Sequence, residues 1–279
     1  MTKKSFVIVC AKGSSYRHLA ILSHNIGLLL RNAGNAVDTE KTSGEYDLAI
    51  SIGGDGTMMH TVSEFSRRGI PTIGINGGGV GFLTSGEKAD WEALASRIIK
   101  GDYTIEKRIA LEFSHGGRVF GPFVNDIVLQ HPFAVGAFTI ELGGVVLYDT
   151  LLANGVIVST PTGSTAYNTS VGGPIVFPSS SNIVVSMIAP MRLSTRPLVL
   201  EELAYGGVLK ITLAESKRER PVMVQGDAQS FATREGFARN GLVVGDSIVI
   251  RKSERPILFA TFGLASYIAA LNAKKGFAL

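Results

Sequence analysis

The N-terminal part of the chain is organised around residues 48–60, LAISIGGDGTMMH. The apolar run at 48–52 is predicted to be a buried strand, and the glycine pair that follows it marks a tight turn. Apolar residues then recur at helical spacing as far as Gly69, so we expect a helix to begin directly after the turn. A strand, a turn and a helix in succession form the unit from which parallel α/β sheets are built.

The same alternation extends on both sides of this stretch. Further strands are predicted at FVIVC (6–10) and PTIGI (71–75), and the helical spacing of apolar residues stops at Gly34 and at Gly101. Glycine commonly follows the last turn of a helix because it accepts the left-handed conformation found there. Residues 1–101 are therefore expected to form an α/β domain with a mostly parallel sheet.

The apolar period changes to two over residues 102–256. Leu209, Ile211 and Leu213, for example, alternate with polar residues, and several Gly-Gly pairs supply turns. This pattern is typical of half-buried antiparallel strands and predicts a second, all-β domain. The tail, 257–279, joins a strand-like apolar run to a helical pattern, and we expect it to complete the first domain.

The composition excludes several classes of protein. With 45% apolar and 18% charged residues in 279, the chain has the balance of a compact folded protein. Its apolar runs fall short of the roughly 18 residues of a spanning helix, which argues against a membrane protein. The net charge of +4 forms no basic stripe, which argues against nucleic acid. The one cysteine, Cys10, fits a reducing compartment, so we expect a soluble, cytoplasmic protein.

The turn at the end of the predicted central strand is a candidate phosphate site. Gly53 and Gly54 allow a phosphate to approach the backbone, and the free amides of the following helix attract negative charge. Asp55 is the exception, because a carboxylate beside a phosphate must bind a cation or accept a proton. It is thus a candidate general base or magnesium ligand, and the alternative is a simple helix cap. The chain has neither a GxxxxGK[ST] loop nor a complete dinucleotide fingerprint.

A second glycine loop, GINGGGVGFLTS, occupies residues 74–85. It follows the next predicted strand, and the carboxyl ends of neighbouring parallel strands converge on one crevice where such sheets bind ligands. Asn76 is a candidate hydrogen-bonding partner for a ribose or a phosphate. Phe82 either packs against a flat ring of a ligand or fills the core.

A third stretch, NGVIVSTPTGSTAYNTSVGGP, covers residues 154–174. Its neutral hydroxyls and main-chain amides suit the ribose and base edges of a nucleotide. A serine nucleophile would need a histidine base, and the nearest candidate, His131, stands beside a proline in a predicted turn. The five histidines show no pair with metal-ligand spacing, so any metal site is unknown at this stage, and His60 is expected on the surface.

These motifs together resemble the bacterial NAD kinases, in which GGDGT, an Asn-Glu pair and DGxxxSTPTGSTAY follow in this order. STPTGSTAY is present without change at 159–167 and is the most specific of them. GGDGT alone is also similar to motifs of diacylglycerol and sphingosine kinases and of phosphofructokinases. The resemblance spans nearly the whole chain.

The resemblance implies a Rossmann-like α/β N-terminal domain, completed by 257–279, and an all-β, sandwich-like C-terminal domain at 102–256, with NAD lying between the two. It implies transfer of the terminal phosphoryl group of ATP or polyphosphate to the adenosine 2'-hydroxyl of NAD, with Mg²⁺ or another divalent cation. A homo-oligomer, dimer or tetramer, is also implied, with each NAD site shared between subunits.

The resemblance also assigns roles to individual residues. Asp55 would take the proton from the 2'-hydroxyl, while Gly56 and Thr57 would lie along the pyrophosphate. The remaining residues implied in the NAD site are Phe82, Asn125, Asp126, Thr162, Thr165, Ala166 and Tyr167. Asn154 and Ala189 lie in segments that a neighbouring subunit contributes, and Asp227, in QGDAQ, is a weaker candidate.

Several residues depart from the pattern of that family. Asn154 replaces the usual Asp, Asp126 replaces Glu, and Gly79 stands where a basic residue is common. The stretch APMRLSTRP (189–197) is also shorter than its usual counterpart. Asn154 and the missing basic residue leave open an NAD(P)-binding sensor without turnover, and the shared glycine motif leaves open a lipid kinase.

Overall fold

The structure is a computed structural model that describes residues 3–13, 16–39, 43–79, 81–201, 207–216, 221–230 and 241–275. It divides into two compact units, residues 1–107 with 257–279 and residues 108–256. Each unit contains its own large cluster of buried apolar side chains. No helix in the described ranges is both long enough and apolar enough to cross a membrane.

The helices and strands follow in this order along the chain. The strands are β1 (Ser5–Cys10), β2 (Ala36–Thr39), β3 (Leu48–Gly53), β4 (Thr72–Asn76), β5 (Gly86–Glu87), β6 (Thr104–Arg108), β7 (Leu111–His115), β8 (Arg118–Phe123), β9 (Asp126–Gln130), β10 (Gly136–Leu142), β11 (Val145–Ala153), β12 (Gly155–Ser159), β13 (Ile183–Ile188), β14 (Leu198–Leu200), β15 (Leu209–Ser216), β16 (Met223–Gly226), β17 (Gln229–Ser230), β18 (Ser247–Lys252) and β19 (Ile257–Thr261). The helices are α1 (Arg17–Asn32), α2 (Asp55–Ser66), α3 (Trp91–Lys100), α4 (Tyr167–Ser170) and α5 (Leu264–Lys275).

The first unit is built on one sheet with strand order β2-β1-β3-β4-β19-β6, and β5 pairs with β4. The pairs β1–β2, β1–β3, β3–β4, β4–β5 and β4–β19 are parallel. Apolar side chains of α1 and α3 pack on one face, and Phe65 of α2 packs with Val7 and Ala49 on the other. Because helices cover both faces, β3 and β4 are buried along their whole length. The predicted α/β class with a mostly parallel sheet is confirmed.

Left-handed glycines follow the three predicted helices. Gly34 has φ 87°, Gly69 has φ 73°, and Gly101, the C-cap residue of α3, has φ 73°. Their positions confirm the helix ends predicted from the sequence. The short edge strand β2 was not predicted, because two of its four residues are exposed, the other two are half-buried, and they show no apolar run.

The second unit contains two antiparallel sheets. Their strand orders are β11-β10-β15-β18-β7-β8 and β14-β13-β12-β9-β16-β17. Buried side chains from both sheets form one apolar cluster, which includes Phe113 and Ile211 of the first sheet and Val156 and Val185 of the second. The all-β class predicted for this part of the chain is confirmed.

Strand β12 is buried on both faces, unlike a surface strand of a sandwich. Val156 and Val158 face the central cluster, whereas Ile157 packs on the opposite face with Tyr167 and Val171. The segment after β12 thus covers the outer face of its own strand. Because both of its faces are covered, β12 has a continuous apolar sequence.

Candidate active site

The first glycine loop joins β3 to α2, and Asp55 is the first residue of the helix. Its Oδ1 atom accepts a hydrogen bond from the backbone amide of Leu83, at 2.8 Å. A helix cap would accept a hydrogen bond from an amide of its own helix. Asp55 instead accepts one from the second glycine loop. The capping alternative is therefore wrong, and the half-buried carboxylate connects the two glycine loops.

The glycines of the first loop serve different purposes. A Cβ atom on Gly53 would lie 2.5 Å from Oγ1 of Thr57, so glycine is needed there for packing. A Cβ atom on Gly54 or Gly56 would meet no atom within 4 Å. Gly54 has φ −87° and ψ −172°, a conformation that any residue adopts. The fold itself does not demand glycine at positions 54 and 56, which leaves open space beside the backbone for a ligand.

Asn76 shapes the second glycine loop from inside. It is 2% exposed, and its Nδ2 atom donates to Oε2 of Glu87 at 2.8 Å and to the carbonyl oxygen of Gly79 at 3.1 Å. Its Oδ1 atom accepts from the amides of Gly78 and Gly79, both at 3.3 Å. The side chain thus uses its donors and its acceptor within the loop and on the adjoining strand β5.

The two glycine loops meet at Gly77. Its amide donates to the carbonyl oxygen of Gly53 at 3.0 Å. Its carbonyl oxygen accepts a hydrogen bond from Nζ of Lys88 at 3.2 Å and lies 3.4 Å from Nε2 of His18. A lysine and a histidine side chain therefore converge on the junction of the loops, at the carboxyl edge of β3 and β4.

Phe82 packs within the first unit. Its ring meets that of Tyr267, on α5, edge to face, with centroids 5.7 Å apart and an interplanar angle of 83°. The side chain is half-buried. The contact with Tyr267 agrees with the alternative in which Phe82 fills the core, at least for the part of its ring that Tyr267 covers.

In the second unit, the STPTGSTAY segment is fastened to the residues that precede β9. The amide of Thr160 donates to the carbonyl oxygen of Asn125 at 2.8 Å, and Oγ1 of Thr160 donates to that of Val124 at 2.6 Å. A Cβ atom on Gly163 would lie 2.0 Å from the carbonyl oxygen of Asn125. Only glycine permits this approach, which places the loop directly against the Asn125-Asp126 pair.

The hydroxyl groups of this segment are buried. Thr162 is 3% and Thr165 is 6% exposed. Oγ1 of Thr165 donates to the carbonyl oxygen of Thr162 at 3.1 Å, but Oγ1 of Thr162 has no hydrogen-bond partner among the described residues. A buried polar atom without a partner is costly, so this hydroxyl is a candidate ligand contact. Ala166 and Tyr167 follow, both half-buried.

A buried carboxyl group, that of Asp126, and a half-buried one, that of Asp227, lie close to this segment. Asp126 is 5% exposed. Its pKa is raised to about 7, mainly by burial and to a smaller extent by the negative charge of Asp227. Burial also raises the pKa of Asp227, against the opposing effect of backbone amides that donate to it. Its Oδ2 and Oδ1 atoms accept from the amides of Val124 and Asn125, each at 2.7 Å.

Asn154 and Ala189 lie at the opposite end of the same sheet. Ser159 of β12 pairs with Asp126, whereas Gly155, four residues earlier, pairs with Ile188. At about 3.3 Å per residue, the two ends of β12 are roughly 13 Å apart. Ala189 is exposed and has φ 45°, a strained conformation for a residue with a side chain. One chain therefore does not bring Asn154 and Ala189 to its own Asn125-Asp126 pair.

The side chain of Asn154 is engaged with the chain itself. Its Nδ2 atom donates to the carbonyl oxygens of His131 and Ala134, at 2.9 and 2.8 Å, and its Oδ1 atom accepts from Nε2 of Gln130 at 3.2 Å. His131 is fully buried, and its Nδ1 atom accepts from the amide of Phe133 at 3.2 Å. That histidine is thus held in a structural position rather than poised beside a serine.

The role of Asn168 was not predicted from the sequence. This fully buried side chain donates to the carbonyl oxygens of Ser164 and Pro174, each at 2.9 Å, and accepts from the hydroxyl of Ser186 at 2.7 Å. It fixes the end of the loop on the sheet. Nothing in a stretch so rich in polar residues distinguishes Asn168 from its neighbours, and only its partners reveal its role.

No cluster of three or more His, Cys, Asp or Glu side chains is found in the part of the chain that the structure describes. His60 is exposed, as expected. The chain therefore offers no preformed multi-carboxylate or histidine metal centre within the described ranges.

The family descriptions "ATP-NAD kinase N-terminal domain" and "ATP-NAD kinase C-terminal domain" match residues 11–103 and 127–257. Similar curated proteins include the NAD kinase of Nitratidesulfovibrio vulgaris, 33% identical over 251 residues, covering 88% of this chain and 84% of that protein. The NAD kinase of Methylibium petroleiphilum is 36% identical over 235 residues, covering 80% of this chain and 72% of that protein.

Two solved structures share the fold. Yeast NADH kinase complexed with NADH has a TM-score of 0.77 and 23% identity, covering 99% of this chain and 88% of that one. An NAD kinase from Archaeoglobus fulgidus in complex with ATP has a TM-score of 0.73 and 24% identity, covering 97% of this chain and 98% of that one. The matching family descriptions and the curated relatives show that the chain belongs to the NAD kinase family of enzymes.

Proposed function

We propose that the chain transfers the terminal phosphoryl group of ATP to the adenosine 2'-hydroxyl of NAD, with Asp55 as the general base. The family and its curated relatives support the NAD kinase reaction, and the relative from Archaeoglobus fulgidus was solved with ATP. The observation that carries the assignment of Asp55 is its carboxylate, which bridges two glycine loops beside open space at Gly54 and Gly56.

In the proposed step, the 2'-hydroxyl oxygen attacks the γ-phosphorus and its proton passes to a carboxylate oxygen of Asp55, while ADP leaves. The bond that Oδ1 accepts from Leu83 fixes the direction of the carboxylate. Among the described residues, Oδ2 accepts no hydrogen bond and is the oxygen left for the proton. Phosphoryl transfer depends mainly on positioning and on charge stabilisation, so one oriented carboxylate suffices as the base.

The carboxyl edge of the first unit supplies the groups that bind phosphates. The first amides of α2 have no partner within the helix, and the helix dipole favours an anion at that end. Lys88 and His18 lie against Gly77 and add donors on the side of the second loop. Glycine at 54 and 56 allows the phosphate chain to approach the backbone.

A divalent cation fits this proposal. Mg²⁺ is ordinarily held by one or two carboxylates together with the phosphates of the substrate, so the lack of a three-residue cluster in the described ranges is no obstacle. The phosphate oxygens of ATP would hold it, because the oxygen of Asp55 that accepts no hydrogen bond is assigned to the proton. The cation would neutralise charge on the phosphoryl groups.

The acceptor side of the proposal lies in the second unit. Asn125, Asp126, Thr162 and the residues Thr165, Ala166 and Tyr167 that follow would bind NAD. The partnerless Oγ1 of Thr162 supports this role, because a ligand would supply the hydrogen bond that the described chain does not. In domain terms, 1–101 with 257–279 would be the nucleotide-binding domain, with Gly56 and Thr57 along the pyrophosphate, and 102–256 would be the NAD-binding domain.

We further propose a homo-oligomer in which the segments that contain Asn154 and Ala189 lie at the NAD site of a neighbouring subunit. Their separation from Asn125 and Asp126 along β12 supports this arrangement. The exposed, strained Ala189 is the residue most available for such a contact.

The experiment compares Asp55→Asn with Asp90→Asn. Asp90 is an exposed aspartate that also stands at the start of a helix, α3, without a side-chain cap bond. With NAD, ATP and Mg²⁺, we expect Asp55→Asn to bind NAD and to lose about a hundred- to ten-thousandfold in kcat. Asp90→Asn should keep the wild-type rate, and full turnover by Asp55→Asn would remove the base assignment.

The same assay separates the alternatives. NADH in place of NAD tests the acceptor, polyphosphate in place of ATP tests the donor, and diacylglycerol tests the lipid kinase alternative. Tight binding of NADP without its formation would favour a sensor.

A further inference from the structure

Asp227 stands in a tight hairpin turn that joins β16 to β17. Gly226 pairs with Gln229, so the turn consists of two residues, Asp227 and Ala228. Both have positive φ angles, 49° and 61°. Aspartate tolerates this conformation, but alanine adopts it at a cost, so the surrounding structure must hold the turn in place.

The Asp227 carboxylate reaches across to the segment before β9. Its Oδ2 atom accepts from the amide of Val124 and its Oδ1 atom accepts from the amide of Asn125, each at 2.7 Å. Its own amide donates to the carbonyl oxygen of Asp126 at 3.2 Å. A single turn therefore holds three consecutive residues, and both carboxylate oxygens already accept hydrogen bonds.

The same segment is held from its other side by the STPTGSTAY loop. Thr160 donates to the carbonyl oxygens of Val124 and Asn125, and Gly163 lies against that of Asn125. The carbonyl groups of Val124 and Asn125 thus depend on that loop, while the amides of the same two residues depend on Asp227. Removing the carboxylate would release the amide side alone and leave the carbonyl side fastened.

We propose that Asp227 is a positioning residue for the NAD acceptor, which fixes the backbone from Val124 to Asp126 so that Asn125 and Asp126 meet the nucleotide, and does not itself contact it. The inference rests on the proposed function. It replaces a direct binding role for Asp227 by an indirect one, because neither carboxylate oxygen is free of the backbone.

The position of Asp227 also bears on the charge of Asp126. Asp126 is almost fully buried, and the negative charge of Asp227 adds to burial in raising its pKa. Among the described residues, Asp227 is the charged side chain that raises the pKa of Asp126. Neutralising Asp227 should therefore lower the pKa of Asp126.

The test uses Asp227→Asn and Asp227→Ala in the full chain. The asparagine keeps one acceptor oxygen and the alanine keeps none, so we expect the KM for NAD to rise in that order, by roughly ten- to a hundredfold for alanine. The KM for ATP should stay near the wild-type value, since its proposed site is elsewhere, and kcat should change less than the KM for NAD.

The matched control is Asp246→Ala. Asp246 also accepts a backbone amide with its carboxylate, that of Val243 at 3.0 Å, within another turn of the same unit. Its removal should lower the melting temperature without changing the KM for NAD. If the Asp227 and Asp246 variants behave alike, with lower melting temperatures and an unchanged KM for NAD, the inference is overturned.

A pH profile provides a readout that a purely structural role would not move. The inflection that belongs to Asp126 is the one that Asp126→Asn abolishes in the pH profile of kcat/KM for NAD. In Asp227→Asn this inflection should shift to lower pH, whereas in Asp246→Asn it should stay in place. An inflection that does not shift would overturn the inference that the charge of Asp227 raises the pKa of Asp126. Wild-type protein that forms no NADP would instead refute the proposed function, and binding of NAD to the same variants, measured by calorimetry, would still decide the inference.

Discussion

Asn154 holds the connection between β9 and β10, and replacing it by aspartate tests whether it is required there. Aspartate is the residue that the resemblance led us to expect at this position. The change removes both hydrogen bonds that Nδ2 donates, to the carbonyl oxygens of His131 and Ala134. It also puts a carboxylate oxygen within 3 Å of those two oxygens, at the positions now occupied by Nδ2.

The magnitude follows from these contacts. Each lost hydrogen bond contributes about 1 kcal/mol, and the two carbonyl groups left facing a carboxylate add a further penalty, so the total loss is about 2 to 4 kcal/mol. At roughly 2 to 4 °C per kcal/mol for a protein of this size, the melting temperature should fall by roughly 5 to 15 °C.

The loss should depend on pH. The carbonyl oxygens should raise the pKa of the new carboxyl group in the folded protein above its unfolded value, since they favour its protonated form. The stability of the variant is then retained below the unfolded pKa and lost as the pH rises through the folded pKa. Urea unfolding at about pH 5 and about pH 8 should therefore show the larger deficit at the higher pH.

Asn154→Ala is the matched control, because it removes the same donors and adds no charge. Its deficit should be similar at both pH values. The reasoning fails if Asn154→Asp is as stable as the wild type, or if its deficit does not grow with pH relative to that of the alanine variant.

Two further predictions concern the second unit. Gly163→Ala should reduce both stability and affinity for NAD, by about 1 to 3 kcal/mol in stability, because its Cβ atom would lie 2.0 Å from the carbonyl oxygen of Asn125. Gly79→Ala, with no atom within 4 Å, is the control in thermal unfolding, and equal effects would contradict the argument. Asp126 has a folded pKa raised to about 7, so the wild type should lose stability relative to Asp126→Asn as the pH rises through about 7, by on the order of a few kcal/mol. A difference between the two in urea unfolding that stays constant from pH 4 to pH 8 would show that Asp126 is not perturbed.

Much of the first unit was predictable because its signals are local. The apolar runs at 6–10 and 48–52 form β1 and β3, and the helices end where glycine takes a positive φ at Gly34, Gly69 and Gly101. Each of these signals depends on residues within one or two turns of chain. Apolar spacing and glycine placement therefore sufficed to predict them.

The partners of the site residues were not predictable in this way. Asp55 was identified from its motif, but its bond to Leu83 joins residues 28 positions apart. The bond from Asn125 to Asp227 spans 102 positions. A residue type tells which hydrogen bonds a side chain can make, but the strand order and register decide which groups come within reach.

The sequence by itself determined the two fold classes, the family and the chemistry of the motifs, since each is written in residue types at short spacing. Only the tertiary structure decided that Asp55 bridges two loops, that Asn76 and Asn154 use their hydrogen bonds inside the chain, and that Asp227 holds the segment before β9. The physical reason is that a buried polar group must find a partner, and that partner is supplied by whichever distant segment the packing of the sheets brings beside it.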